Sequence, residues 1–100
     1  MIGSLLVGLI ILRAPAFAQQ YHGLVVNRNG SPQGGCQIEF FQPNGPLVYK
    51  AYSDANGAFQ VNNLRLGSYV VHILINGNIV SQASIVIDSN GLHPSTLVVA

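Results

Sequence analysis

Tryptophan is absent from this chain and cysteine occurs once. A lone cysteine closes no intrachain disulfide and supplies no metal-binding cysteine pair. Charge is equally scarce, with four Lys and Arg against three Asp and Glu in 100 residues. Beyond residue 18, Arg28, Lys50 and Arg65 are matched by Glu39, Asp54 and Asp88. Three scattered cations build no basic stripe, so a nucleic-acid partner is not expected. No acidic tail or run of like charge is present, and Lys50 and Glu39 read as solvated charges. No apolar run approaches the ~20 residues of a spanning helix. From Tyr21 onward, no run shows the helical spacing of apolar residues at i, i+3, i+4, i+7.

What is abundant is turn punctuation. Asn-Gly pairs recur at Asn29-Gly30, Asn44-Gly45, Asn56-Gly57, Asn76-Gly77 and Asn90-Gly91, and Asn-Gly is the strongest short-range hairpin signal. The runs between them are rich in Val, Ile, Leu, Phe and Tyr and have strand length. The predicted strands are Tyr21 to Asn27, Cys36 to Phe41, Leu47 to Ser53, Ala58 to Val61, Ser68 to Ile75, Ile79 to Ile87 and Thr96 to Val99. Asn76-Gly77-Asn78 marks the cleanest hairpin, pairing its flanking strands antiparallel. The chain centres on the turn Asp54-Ala55-Asn56-Gly57-Ala58-Phe59: Asp54 accepts backbone N–H groups, Asn56 tolerates positive φ, and Gly57 adopts it freely.

Seven short strands with regular turns predict an all-β fold, an antiparallel Greek-key-type β-sandwich with one core between two sheets. Alternation puts Leu24, Val26, Cys36, Ile38, Phe40, Phe59, Val61, Leu64, Tyr69, Val71, Ile73, Ile75, Ile85 and Ile87 inside. Cys36 leads the alternation Cys36, Ile38, Phe40, so it reads as a small buried residue. Tyr69, after Gly67-Ser68, is expected to bury its ring and return its hydroxyl to a nearby backbone group. The tail Thr96 to Val99, set off by Gly91-Leu92-His93-Pro94, is expected to close its own sheet rather than pair with a neighbouring chain.

The amino terminus carries a different message. Leu5 to Leu12 is a short apolar run, and Ala16-Phe17-Ala18 has the small-x-small pattern of a signal-peptidase site. Residues 1–18 are therefore expected to be an export signal and 19–100 a single domain, acting in the periplasm, the cell envelope or outside the cell, with no stable membrane span after cleavage.

Three motifs in order give the domain a family likeness. Gly30-Ser31-Pro32 with Gly35-Cys36-Gln37-Ile38-Glu39-Phe40, then Ser53-Asp54-Ala55-Asn56-Gly57-Ala58-Phe59, then Leu64-Arg65-Leu66-Gly67-Ser68-Tyr69-Val70-Val71 resemble the carboxypeptidase regulatory-like domain, a prealbumin-like (transthyretin-like) β-sandwich. The likeness spans Gly23 to about Ile87. Asp54, Gly57, Phe59, Leu64, Gly67 and Tyr69 are its structural signature. Gln33 and Cys36 depart from it, standing where an apolar residue and Ala or Val are usual. The resemblance implies a non-catalytic module, commonly secreted or on the cell surface.

Candidate chemistry is sparse. His22, His72 and His93 fall on separate segments without metal-ligand spacing, so no metal or other cofactor is expected. No nucleophile sits beside a base on a strained turn. The hydroxyisourate hydrolases share the topology but end in Tyr-Arg-Gly-Ser, whereas this chain ends Ser95-Thr96-Leu97-Val98-Val99-Ala100, and the expectation is that it is not an enzyme. Two binding readings stand. Val70, His72 and Leu74 occupy the second face of a strand whose first face is already apolar, with Val80 and Val86 set opposite Ile79, Ala83, Ile85 and Ile87. Such two-sided strands are covered on both faces, which predicts a protein partner or self-association through Val70, His72, Leu74 and Val86, or through an edge strand. The alternative is a carbohydrate-binding, starch-binding-like module using Tyr49 or Tyr52, on opposite faces of one strand, with Phe41 and Tyr21 as further exposed rings.

Overall fold

A computed structural model describes residues 20–99 of the chain, and the export signal expected over 1–18 lies outside them. The described residues form strands only: β1 (Gln20–Val26), β2 (Gln37–Phe41), β3 (Leu47–Tyr52), β4 (Ala58–Asn62), β5 (Gly67–Ile75), β6 (Asn78–Asp88), β7 (Gly91–His93) and β8 (Thr96–Val98). They make a three-stranded sheet ordered β4-β1-β8 and a five-stranded sheet ordered β3-β2-β5-β6-β7. The two sheets share one core that includes Tyr21, Val25, Phe59, Val61 and Leu97 from the smaller sheet and Ile38, Phe40, Tyr69, Val71, Ile73, Ile85 and Ile87 from the larger. This is an all-β sandwich.

The described residues form eight strands rather than the seven expected. Gly91-Leu92-His93, expected as a connector, pairs with β6 through Val86↔His93, Ile87↔Leu92 and Asp88↔Gly91. Leu92 is buried there, and a three-residue strand is too short to declare itself by alternation. The tail does close its own sheet, but in parallel with β1, pairing Leu24↔Thr96, Val25↔Leu97 and Val26↔Val98. Every other strand pairing is antiparallel.

The Asn-Gly pairs do different jobs. At Asn76-Gly77 both residues have positive φ, 52° and 81°, and Ile75 pairs with Asn78. That is a two-residue type I′ hairpin. Asn29-Gly30 and Asn56-Gly57, by contrast, carry the chain from one sheet to the other, so the strands they join do not pair. At Asn56-Gly57 only Gly57 takes the left-handed conformation, φ 78°, and the tolerance of Asn56 for it is not used.

Two stretches are out of phase with the expected core. In β1 it is Tyr21 and Val25 that face inward while Leu24 is exposed. Leu24-Val25-Val26 are all apolar, so alternation alone could not choose between the phases. The tertiary structure chooses through Gly23: a Cβ there would lie 2.2 Å from Cζ of Phe59. Phe59, the register partner of Gly23, therefore lies over a strand position that has no side chain. Tyr21 is thereby buried, not an exposed ring.

The second is β6. Its register to β5 runs Ile73↔Ser81 and then Leu74↔Ile79, so Val80 is an extra residue, a β-bulge. A bulge reverses the inside-outside phase beyond it. Ile79 accordingly stands outside at 58% exposure, while Val80 packs against the core. Ile75, placed inside by alternation, is only half-buried at the same end. The remaining expected core residues, from Val26 and Cys36 through Ile87, are buried.

Candidate functional site

The corner between β3 and β4 is held by side chains of its own sequence. Asp54 Oδ1 accepts the N–H groups of Asn56 at 2.9 Å and Ala58 at 3.0 Å. Gly57 N–H donates to the Asp54 carbonyl at 2.9 Å. A Cβ on Gly57 would lie 2.4 Å from the Val25 carbonyl oxygen, so the position needs glycine for space as well as for φ.

Ser53, which sequence reasoning passed over, ties this corner to the loop before β2. Its Oγ accepts the Cys36 N–H and donates to the Gln33 carbonyl, each at 2.9 Å. Its backbone accepts from Gly35 N–H and donates to the Cys36 carbonyl. The signal for it was weak, a serine at the end of a predicted strand next to a turn aspartate. Cys36 itself is fully buried and free.

Tyr69 behaves as expected. Its ring is buried and its hydroxyl donates to the Arg65 carbonyl at 2.6 Å. Burial pushes the phenol above its ordinary range, with the Arg65 charge opposing. Leu64 is buried in the same core, and Gly67 opens β5 with φ 148°. Asp54, Gly57, Phe59, Leu64, Gly67 and Tyr69 thus all serve architecture: a corner, a core and a tyrosine latch.

The residues expected to meet a partner are brought together on the outer face of the five-stranded sheet. Phe41 pairs with Val70, Glu39 with His72 and Gln37 with Leu74. On the other side of β5, Val86 pairs with Ser68, Gln82 with His72 and the bulge-flipped Ile79 with Leu74. The result is a diagonal strip of Val86, Val70, Phe41, His72, Leu74 and Ile79. Phe41 and His72 lean together with ring centroids 4.7 Å apart. Val70, His72 and Leu74 are half-buried, while Val86 is 46% exposed. Phe41, weighed as an exposed ring, is half-buried in this strip.

Neither a family model nor a curated protein sequence matches this chain.

The two tyrosines of β3 separate. Tyr49 packs against the core, edge-on to Phe40 at 6.0 Å, and its hydroxyl accepts the Asn62 N–H at 3.0 Å. Tyr52 is 63% exposed and lines a groove at the corner with His22, Asp54, Ala58, Phe59 and Gln60.

The histidines are dispersed on β1, β5 and β7. Among the described residues, no three His, Cys, Asp or Glu side chains converge as metal ligands. His93 Nε2 and Asp88 Oδ1 share a hydrogen bond at 2.9 Å across the exposed β6-β7 turn. That hydrogen bond, with the Asn90 N–H on the same carboxylate, holds Asp88 below the usual carboxyl range. No helix among the described residues is long and apolar enough to cross a membrane.

Proposed function

We propose that the chain is an exported, non-catalytic module of the carboxypeptidase regulatory-like, prealbumin-like kind, with Greek-key connections, that docks a partner protein on the outer face of its five-stranded sheet. One observation carries this reading: Val70, Leu74, Phe41 and Val86 stand side by side with His72 on a face turned away from the core. Contiguous apolar surface of this kind on a small domain marks an interaction site. The strip is bordered by Gln37, Glu39, Lys50, Gln82 and Ser84, the apolar centre and polar rim of a protein interface. Its charges balance, so the partner presents an apolar ridge of low net charge rather than a charged surface.

Site-specific photo-cross-linking in the producing cell tests the reading. A photoreactive residue at Val86 should give one discrete adduct that disappears in Val70→Ser and Leu74→Ser variants, which remain folded because both side chains lie outside the core. A reactive residue at Asn29, on a loop between the sheets, should give none. Equal adducts from both positions, or an adduct at Val86 indifferent to the two serine substitutions, would refute docking at this face.

A further inference from the structure

The groove at the β3-β4 corner has a volume of about 320 Å3, at the lower end of sites that hold small ligands. Its floor is the open edge of β4. Val25 N–H donates to the Gly57 carbonyl at 2.7 Å, so the alternation of backbone groups turns Phe59 and Val61 toward β1 and turns Ala58, Gln60 and Asn62 outward. Both ends of that edge are plugged. Ala58 N–H is taken by Asp54 Oδ1 and its carbonyl accepts the Asp54 N–H at 2.9 Å. Asn62 N–H is taken by the Tyr49 hydroxyl. Gln60 is left between the plugs with its N–H and C=O facing the groove. Strand addition needs a run of open backbone groups, and one residue does not provide it.

Around this polar gap the side chains are of mixed character. Among the described residues Tyr52 is the most exposed large apolar side chain, and its hydroxyl has no partner among them. His22 is the register partner of Gln60, and its imidazole is likewise unengaged. The Gln60 amide donates to Asn62 Oδ1 at 2.8 Å, which leaves its oxygen as an acceptor. Asp54 uses Oδ1 for the corner and is the only carboxylate or full-time charge in the groove.

We propose that this groove binds a neutral saccharide ring, stacked on Tyr52 and hydrogen-bonded by Gln60, His22 and Asp54. A pyranose presents an apolar C–H face and a rim of hydroxyls that both donate and accept. That rim matches one backbone N–H, one backbone carbonyl, an amide oxygen, an imidazole and a carboxylate oxygen. With one charge in the groove, neither a strongly anionic nor a strongly cationic ligand is favoured. Tyr52 shares the outer face with the apolar strip as the register partner of Gln37, but Val70, Leu74 and Val86 do not line the groove, so the saccharide reading is tested apart from the partner reading.

The test is a titration of the 15N-labelled full chain, followed by amide shifts, with hexasaccharides of glucose, xylose and N-acetylglucosamine to ~10 mM, the weak end of useful affinity. A six-residue Val-Thr peptide is titrated in parallel. At least one saccharide should shift the amides of Tyr52, Gln60 and His22. Tyr52→Ala, at a solvent-exposed position, should keep the native spectrum and weaken binding about tenfold, the worth of one good aromatic contact. Val70→Ser should leave saccharide binding unchanged. Absence of shifts with all three sugars, binding indifferent to Tyr52→Ala, or shifts from the peptide alone would overturn the proposal, the last by making the β4 edge a peptide site.

Discussion

Replacing Ser53 by alanine removes one oxygen from a side chain that is 6% exposed, and the structure sets what that should cost. The Oγ serves two groups, the Cys36 N–H and the Gln33 carbonyl, each at 2.9 Å. Cys36 is fully buried, so its N–H would have no water to turn to, and an orphaned buried donor costs about 1–3 kcal/mol. The Gln33 loop is half-buried and its carbonyl is partly rehydrated, adding about 0.5–1 kcal/mol. The expected loss is therefore roughly 1.5–4 kcal/mol, a large share of the ~5 kcal/mol typical of the lower end of domain stability. Urea unfolding followed by far-ultraviolet circular dichroism should show the midpoint falling by about 1.5–4 M at a slope near 1 kcal/mol/M. Ser81→Ala is the matched control, because Ser81 also donates one hydrogen bond, to the Val98 carbonyl at 3.0 Å, but at an exposed site. Its cost should stay below about 1 kcal/mol. Equal losses for the two variants would refute the argument that burial, rather than the hydrogen bond as such, makes Ser53 important.

Other outcomes follow from the same geometry. Gly30→Ala meets no atom within 4 Å but has φ 83°, so it should cost about 1 kcal/mol for the left-handed backbone alone; Gly57→Ala, with φ 78° and a carbonyl oxygen 2.4 Å from the new Cβ, should cost several-fold more by the same denaturation assay. Gly23→Ala should displace the Phe59 ring and lose about 1–3 kcal/mol by overpacking, with Gly23→Ala/Phe59→Leu recovering part of it. Tyr69 is a neutral acid whose folded pKa is raised, so its contribution is intact below the unfolded value near 10 and falls as pH rises above it; Tyr69→Phe should lose about 1 kcal/mol at neutral pH and show a flatter alkaline limb in thermal melts. Asp88 is the opposite case: its lowered pKa stabilises the fold above the ordinary carboxyl value near 4 and is lost as pH falls, so His93→Ala should flatten the acid limb of the same profile.

Some of these residues were legible in the linear chain because local chemistry suffices for them. Asp54 and Gly57 define a turn whatever surrounds it, and Tyr69 reaches a carbonyl only four residues away. Val70, His72 and Leu74 share a face by alternation within one strand. Val86 joins them only because β6 lies beside β5 in a particular register. The Tyr52 groove was half visible: Tyr52 stood out as a candidate ring, but His22 and Gln60 come from strands of the other sheet, and nothing in their spacing foretells the meeting. Ser53 was silent for the same reason, since its partners lie 17 and 20 residues away.

Strand chemistry, the absence of helix among the described residues and the identity of the turns therefore follow from the order of residues, because they rest on φ preferences and on a two-residue repeat. The phase of β1, the outward flip of Ile79, the short β7 and the parallel docking of β8 do not. Each is decided by what lies across a sheet: an aromatic ring needing the gap at Gly23, one extra residue at Val80, a neighbour for Leu92, and a free edge on β1. Local propensities were indifferent between the alternatives, and close packing of two layers chose among them.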